Sequence, residues 1–183
     1  MKFTLHTLDT APEASRPLLE KSLRAFGRIP GLHAVMAESP QLLEAYQKLS
    51  ELFTQTSFNA EEITVVWMAI NVENECHYCV PAHTAIAHAM KVDPALIEAL
   101  RNGEPLADEK LQVLRDTTVA LVRNRGHLSE DEMARFEQAG YGPRQLLEII
   151  LGIAHKTMSN YTNHLANTPV DEVVKKYAWE KKA

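Results

Sequence analysis

The sequence predicts an all-α protein, folded as a single-domain helical bundle. Helix-start signals recur along the chain, and between them apolar residues return every three or four positions, which is the period of an α-helix. No segment shows the strict apolar and polar alternation of a half-buried strand. The chain has 183 residues and no Gly/Ser linker, so one domain is expected over residues 1–183.

The predicted helix starts combine a capping side chain with a second signal. Ser, Thr, Asp or Asn can accept a hydrogen bond from a first-turn N–H, and a glutamate three residues later or a following proline strengthens the prediction. In chain order the starts are Thr10 with Glu13, Ser39 with Pro40, Asn59 with Glu62, Asp93 with Pro94, and Ser129 with Glu132.

The apolar spacing and the breaks predict where helices run. Leu42 to Phe53 and Leu111 to Val122 each carry one apolar face. Gly and Pro in Phe26 to Gly31 predict a break after an N-terminal helix. The stretch from Pro143 to Leu165 is apolar around much of its circumference, which predicts a central helix covered by its neighbours.

Composition and charge exclude several classes of protein. A net charge of −5, with no basic stripe, argues against binding to nucleic acid. The longest apolar runs, Ile63 to Ile70 and Leu146 to Ala154, fall short of the roughly 20 residues that cross a bilayer, so no membrane association is expected. Met1 to Thr10 lacks the apolar core of a signal peptide, and we expect a cytoplasmic protein.

Candidate chemistry is concentrated at the two cysteines, Cys76 and Cys79. Pro81 predicts a helix that begins near Cys79, because proline is tolerated only in a first turn. His83 then lies one turn beyond Cys79. A helix N-terminus, a neighbouring imidazole and a second thiol each lower a cysteine pKa from about 8.5 toward neutral.

The motif leaves several interpretations open. The cysteines could be a buried structural pair of thiols, or they could bind zinc with His83 and a fourth ligand such as His77 or His155. Haem attachment is excluded because Val80, not histidine, follows the second cysteine. A thioredoxin-like fold is excluded because its dithiol follows a strand, and this sequence predicts no strand.

The sequence resembles the alkylhydroperoxidase D-like proteins of the carboxymuconolactone decarboxylase superfamily, and most closely their peroxidase-related branch. The resemblance covers about residues 20–172. Its segments are Cys76-x-x-Cys79-x-x-x-His83, Glu73-Asn74, Tyr78, Gly27-Arg28-Ile29-Pro30, Glu38-Ser39-Pro40, Asn160-Tyr161-Thr162-Asn163-His164, and Pro169.

The resemblance implies a helical bundle of the alkylhydroperoxidase D-like type with antioxidant thiol activity. Cys79 would attack a small hydroperoxide, Cys76 would resolve the sulfenic acid to a disulfide, and His83 would relay the proton. It also implies no bound metal or other cofactor, an external dithiol reductant protein such as a lipoyl carrier, and a homo-oligomer (dimer, trimer or hexamer).

This chain departs from the family pattern at two positions of the proton relay. The best-known members have a glutamate twelve residues before the first cysteine and a histidine before the second, where this chain has Thr64 and Tyr78. Glu73 or Glu61 could supply the carboxylate instead, and the Tyr78 hydroxyl could donate a proton.

Two other functions stay open on the sequence alone. One is a redox-responsive or metal-binding interaction protein, and the other is a cysteine-independent decarboxylase or isomerase on the same scaffold. His155, a lone histidine in the predicted central helix, is either a core residue or a functional one.

Overall fold

Nine α-helices, joined by short loops, make up most of the computed structural model, which describes residues 1–181. No strand occurs in this range, so the all-α prediction is confirmed. No helix within it is both long and apolar enough to cross a membrane. The helices are α1 Arg16–Phe26, α2 Gly31–Met36, α3 Pro40–Phe53, α4 Ala60–Glu73, α5 Cys79–Ala89, α6 Pro94–Asn102, α7 Glu109–Arg123, α8 Glu130–Gln138 and α9 Pro143–Ala166. Short 3₁₀ helices run over Glu13–Ser15 and Glu172–Tyr177.

Four of the five predicted helix starts are confirmed: α3, α4, α6 and α8 begin where the sequence places them. Asn59 and Ser129 each form a full capping box with the glutamate three residues later. Asp93 accepts a hydrogen bond from the N–H of Ala95 at the start of α6. Ser39 stands at the start of α3 without a side-chain cap, so proline at the first turn sets that boundary.

The predicted helix start at Thr10 is wrong. The Thr10 hydroxyl accepts a hydrogen bond from the backbone N–H of Thr7, 2.9 Å away, and is therefore engaged in a turn that precedes it. The chain next forms the Glu13–Ser15 3₁₀ helix, and α1 begins only at Arg16.

The enclosed helix of the bundle is α4. It packs against α5, α6, α7 and α9, and every residue from Glu62 to Asn71 is buried. The prediction that the segment from Pro143 to Leu165 is a helix is confirmed, but the prediction that neighbours cover it is wrong. Leu147 is 67% exposed and Leu165 is 74% exposed, because α9 packs against α2, α3, α4 and α5 on one side only.

The core comprises a larger apolar cluster around α4, a smaller cluster beneath α1 to α3, and a third formed by Ala87, Val92 and Ile97. The cluster beneath α1 to α3 contains Leu19, Met36 and Leu43, and it also contains both cysteines. The thiols are thus placed in an apolar environment at the junction of α4 with α5, facing α3 and α9.

Close approach of α9 to its neighbours depends on Gly152. A Cβ at this position would lie 2.8 Å from the Phe53 ring and 3.0 Å from a methyl group of Val66. We expect Gly152→Ala to lower the free energy of unfolding by about 1–3 kcal/mol through overpacking, despite the better helix propensity of alanine. Urea denaturation measures this change. Gly142→Ala is the control, since its Cβ would meet only Gln145 at 3.7 Å, and equal stability of the two variants would contradict the prediction.

Candidate active site

The turn between α4 and α5 brings the two cysteines together. The N–H of Cys76 donates to the carbonyl of Asn71 (2.9 Å) after the end of α4, and α5 begins at Cys79, as Pro81 predicts. The backbone N–H of Cys79 donates to Sγ of Cys76 at 3.2 Å. Both thiols are free and buried.

Asparagines from α9 complete the polar surroundings of the thiols. The Asn163 amide donates to Sγ of Cys79 at 3.2 Å and lies 3.9 Å from Sγ of Cys76. Asn160 bridges Asn71 and Asn74, with hydrogen bonds of 2.9 and 2.8 Å. The hydrogen-bonded asparagines therefore fix the end of α4 and the sulfur atoms relative to α9.

A buried lysine, Lys156, supplies the positive charge of the site. Its side chain is 1% exposed, and its Nζ lies 2.6 Å from Nε2 of His83. Burial lowers the pKa of Lys156, and the neighbouring cysteines oppose that shift. Burial and the charge of Lys156 lower the pKa of His83 well below its ordinary value, so His83 is neutral at pH 7 and accepts the hydrogen bond from the ammonium group.

The two thiols differ sharply in acidity. Burial is the largest influence on Cys79 and opposes its ionisation, but the hydrogen bond from Cys76 and the charge of Lys156, helped by asparagine amides, lower the pKa of Cys79 to about 6. The same hydrogen bond, together with burial, raises the pKa of Cys76, because ionisation would break it. The favoured state at pH 7 is a Cys79 thiolate that accepts a hydrogen bond from a Cys76 thiol.

A cavity of about 810 Å³ reaches Cys79, and its walls are mainly apolar. Cys79, His83 and Lys156 are among its polar lining residues, whereas Cys76 does not line it and is fully buried. We call this space the dithiol cavity. Its apolar walls come largely from Phe26, Leu32, Ala82, Ala85, Ile86, Ala89, Met90, Val173 and Val174. A molecule that enters it meets Cys79 before Cys76.

The structure brings only some of the predicted residues to the thiols. His83 lies in the dithiol cavity, but its hydrogen-bond partner is Lys156 and not a cysteine. Glu73 is directed elsewhere: its carboxylate pairs with Arg123 at 2.6 and 2.8 Å and lines a different surface depression. Thr64 is also buried away from the site, with its hydroxyl bonded to the carbonyl of Ala60.

Tyr78 lines the dithiol cavity, and its hydroxyl group links two segments of the cavity wall by hydrogen bonds. Its hydroxyl accepts from the N–H of Leu32 (3.2 Å) and donates to Asp171 (2.8 Å). Burial and the charge of Asp171 raise the pKa of Tyr78, so the hydroxyl keeps its proton. Asp171 also pairs with Arg28 at 2.5 Å, which ties the Glu172–Tyr177 segment to the start of α2.

Sequence reasoning missed Lys156 and gave no role at the thiols to Asn163. The signal for Lys156 was present, because a lysine inside an apolar helical stretch is rarely buried without a partner. Lys156 and Asn163 are seven residues apart, two turns of one helix, and so share a face of α9. Within residues 1–181, no three His, Cys, Asp or Glu side chains converge to form a metal site.

Comparison with solved structures identifies the fold. An alkylhydroperoxidase D core protein from Ralstonia eutropha JMP134, described as an uncharacterized peroxidase-related protein, superposes with a TM-score of 0.81 at 15% identity, over 94% of this chain and 93% of its own. The chain has the alkylhydroperoxidase D fold. The fold implied by the sequence resemblance is therefore confirmed.

Two further structures share this fold. An uncharacterized peroxidase-related protein from Silicibacter sp. TM1040 gives a TM-score of 0.78 at 19% identity, with 95% of both chains covered. A cysteine-to-alanine variant of the debrominase Bmp8, in complex with 2,3,4-tribromopyrrole, gives 0.78 at 16% identity, over 96% of this chain and 94% of its own. The sequence matches no protein-family model and no curated protein.

Proposed function

We propose that this protein is a dithiol–disulfide oxidoreductase that reduces small hydroperoxides. The observation that carries the proposal is the asymmetry of the pair: Cys79 lines the dithiol cavity beside Lys156, and Cys76, with a hydrogen bond to its sulfur, is buried and does not line the cavity. In this arrangement the Cys79 thiolate faces the substrate, and the Cys76 thiol lies close enough to react with oxidised Cys79. The shared fold with peroxidase-related proteins supports the same reaction class.

The first step is attack of the Cys79 thiolate on the terminal oxygen of the hydroperoxide. A sulfur–oxygen bond forms, the O–O bond breaks, and the departing alkoxide takes a proton from the Lys156 ammonium group. The products are Cys79 sulfenic acid and an alcohol. His83 accepts a hydrogen bond from Lys156 and holds the proton donor in place.

The second step closes the disulfide. Sulfur of Cys76 attacks sulfur of Cys79 while its proton passes to Lys156, and the displaced hydroxide leaves as water with that proton. Two thiols and one hydroperoxide become one disulfide, one alcohol and one water. An external dithiol, such as a lipoyl carrier, then returns both hydrogens by thiol–disulfide exchange.

Mass spectrometry of the reduced protein tests the proposal directly. One equivalent of cumene hydroperoxide should remove two hydrogens and consume both thiols, and dihydrolipoamide should restore them repeatedly. Two unchanged thiols would overturn the proposal. Turnover of a substrate that survives Cys79→Ser would point instead to a cysteine-independent decarboxylase or isomerase.

Reductive dehalogenation is a second candidate function. It is favoured by the shared fold with a debrominase captured with a brominated pyrrole, and by the apolar walls of the dithiol cavity. Cys79 would take bromine from carbon, the carbon would gain a proton, and Cys76 would displace bromide as the disulfide forms. Bromide release from 2,3,4-tribromopyrrole with disulfide formation, without consumption of hydroperoxide, would select this function.

A further inference from the structure

A second cavity, of about 400 Å³, adjoins the dithiol cavity. The two share the side chains of Phe26, His33, Tyr46, His83 and Ile86. Its mouth lies between Lys21 and Ala25 of α1 and Glu51 of α3, all of which are exposed. We call it the aromatic cavity. Neither cysteine is among its lining residues.

Aromatic rings from six helices, α1 to α5 and α9, line the aromatic cavity. Tyr46 stacks on His155 with ring centroids 4.6 Å apart, and Trp67 meets His83 edge to face at 4.8 Å. His33 meets Tyr46 edge to face at 5.5 Å. Aromatic walls of this kind favour another ring, which can stack or pack edge-on against them.

Polar atoms without partners are concentrated in the same walls. Within residues 1–181, eight buried side-chain nitrogen or oxygen atoms lack a hydrogen-bond partner, and five belong to residues that line the aromatic cavity. They are Gln47 Oε1, Trp67 Nε1, His83 Nδ1, and both ring nitrogens of His155. Leaving such atoms unpaired is costly, and their clustering around one cavity points to an occupant that pairs with them.

The buried histidines in the walls of the aromatic cavity are uncharged at neutral pH, and the ionisable side chains of Lys21 and Glu51 lie at its exposed mouth. Burial lowers the pKa of His33 to about 4, and it lowers the pKa values of His83 and His155 well below the ordinary value. The unpaired polar atoms of these walls therefore offer donors, such as the Trp67 N–H, and acceptors, such as Gln47 Oε1, without a formal charge. An uncharged ligand matches these walls better than an ion.

We propose that the aromatic cavity binds an uncharged aromatic ring that carries a hydroxyl or N–H group, in the class of phenols and pyrroles. The ring packs between Tyr46, Trp67 and His155, and its polar group pairs with the free donors and acceptors of the wall. A cavity of about 150 Å³ accommodates benzene, so 400 Å³ holds a substituted ring. The bound molecule lies against His83, which separates it from Lys156 and the dithiol.

Calorimetric titration tests this binding in Cys79→Ser protein, so that the result is independent of the thiol chemistry. We expect phenol to bind at least about tenfold more tightly than cyclohexanol, which lacks the aromatic ring, and than toluene, which lacks the hydroxyl. No phenol binding at millimolar concentration, or equal binding of the three compounds, would overturn the proposal. This ligand series needs no change to the cavity itself.

Substitutions locate the bound ring. His155→Phe keeps the ring and removes both nitrogens, and Trp67→Phe removes one donor; each should weaken phenol binding about fivefold or more. His164→Phe is the control, because His164 is exposed on the same helix and does not line the cavity. Unchanged affinity in both cavity variants, with their folds intact by circular dichroism, would place the ligand elsewhere and overturn the proposal.

Discussion

Replacing Cys79 with serine is expected to lower the rate of hydroperoxide reduction by about three orders of magnitude or more, because it removes the thiolate that lines the dithiol cavity. Cys76 cannot substitute for it. Cys76 is fully buried, and burial and the hydrogen bond to Cys79 both raise its pKa. Stopped-flow measurement of peroxide consumption gives the rate.

Cys76→Ser should behave differently, since it leaves the attacking thiolate in place. One rapid turnover is expected, after which Cys79 accumulates as sulfenic acid that dimedone traps. Each variant serves as the structural control for the other, because both replace one buried sulfur with oxygen. If Cys76→Ser lost the first turnover while Cys79→Ser retained it, the roles of the two cysteines would be reversed.

Much of the fold was predictable because its signals are local. Capping boxes at Asn59 and Ser129 depend on residues three apart in the sequence, and proline fixes the starts of α3 and α6. The prediction of a helix start at Thr10 was wrong for the same reason. The Thr10 hydroxyl accepts a hydrogen bond from Thr7 within a turn, and this interaction competes with capping a helix. Local patterns do not reveal which of two interactions is formed.

The partners of the candidate site were less predictable because they depend on tertiary packing. The sequence places Glu73 one turn before Cys76, but Arg123, fifty residues away along the chain, holds the carboxylate elsewhere. The charge beside the thiolate comes from Lys156, eighty residues from the first cysteine, and only the packing of α9 on α4 and α5 brings it there. The burial of α9 was overestimated for a related reason. The apolar residues around this helix show which side chains could be buried, but they do not show which neighbouring helices are there to cover them.

Lys156→Met is expected to separate two roles of the lysine. As a neighbouring cation it lowers the pKa of Cys79, and removing such a charge shifts a pKa by about 1–3 units. The thiolate fraction falls as pH drops through the folded-state pKa, so the midpoint for reaction with iodoacetamide should move up from about pH 6. The midpoint is the proper measure here, because a thiolate of higher pKa is also intrinsically more nucleophilic and offsets the loss in rate.

The second role of Lys156 is proton donation to the departing alkoxide. It should appear at a pH above the pKa of Cys79 in both proteins but low enough for Lys156 to keep its proton in the wild type. There the alkylation rate of Lys156→Met should equal or exceed that of the wild type, whereas the rate with cumene hydroperoxide should fall by about 10²-fold to 10⁴-fold, the usual contribution of a general acid. Iodide leaves without a proton, so alkylation is insensitive to this loss.

The fold should tolerate the Lys156→Met change, because methionine fills a similar volume and Cys79 can take up a proton once the neighbouring cation is gone, which leaves no unpaired buried charge. Lys48→Met, at an exposed position on α3, is the matched control and should change neither the midpoint nor the rate. A shifted midpoint with an unchanged peroxide rate would assign Lys156 to charge stabilisation alone and leave proton donation to another group. An unchanged midpoint would show that the hydrogen bonds from Cys76 and Asn163, and not the lysine, hold the thiolate.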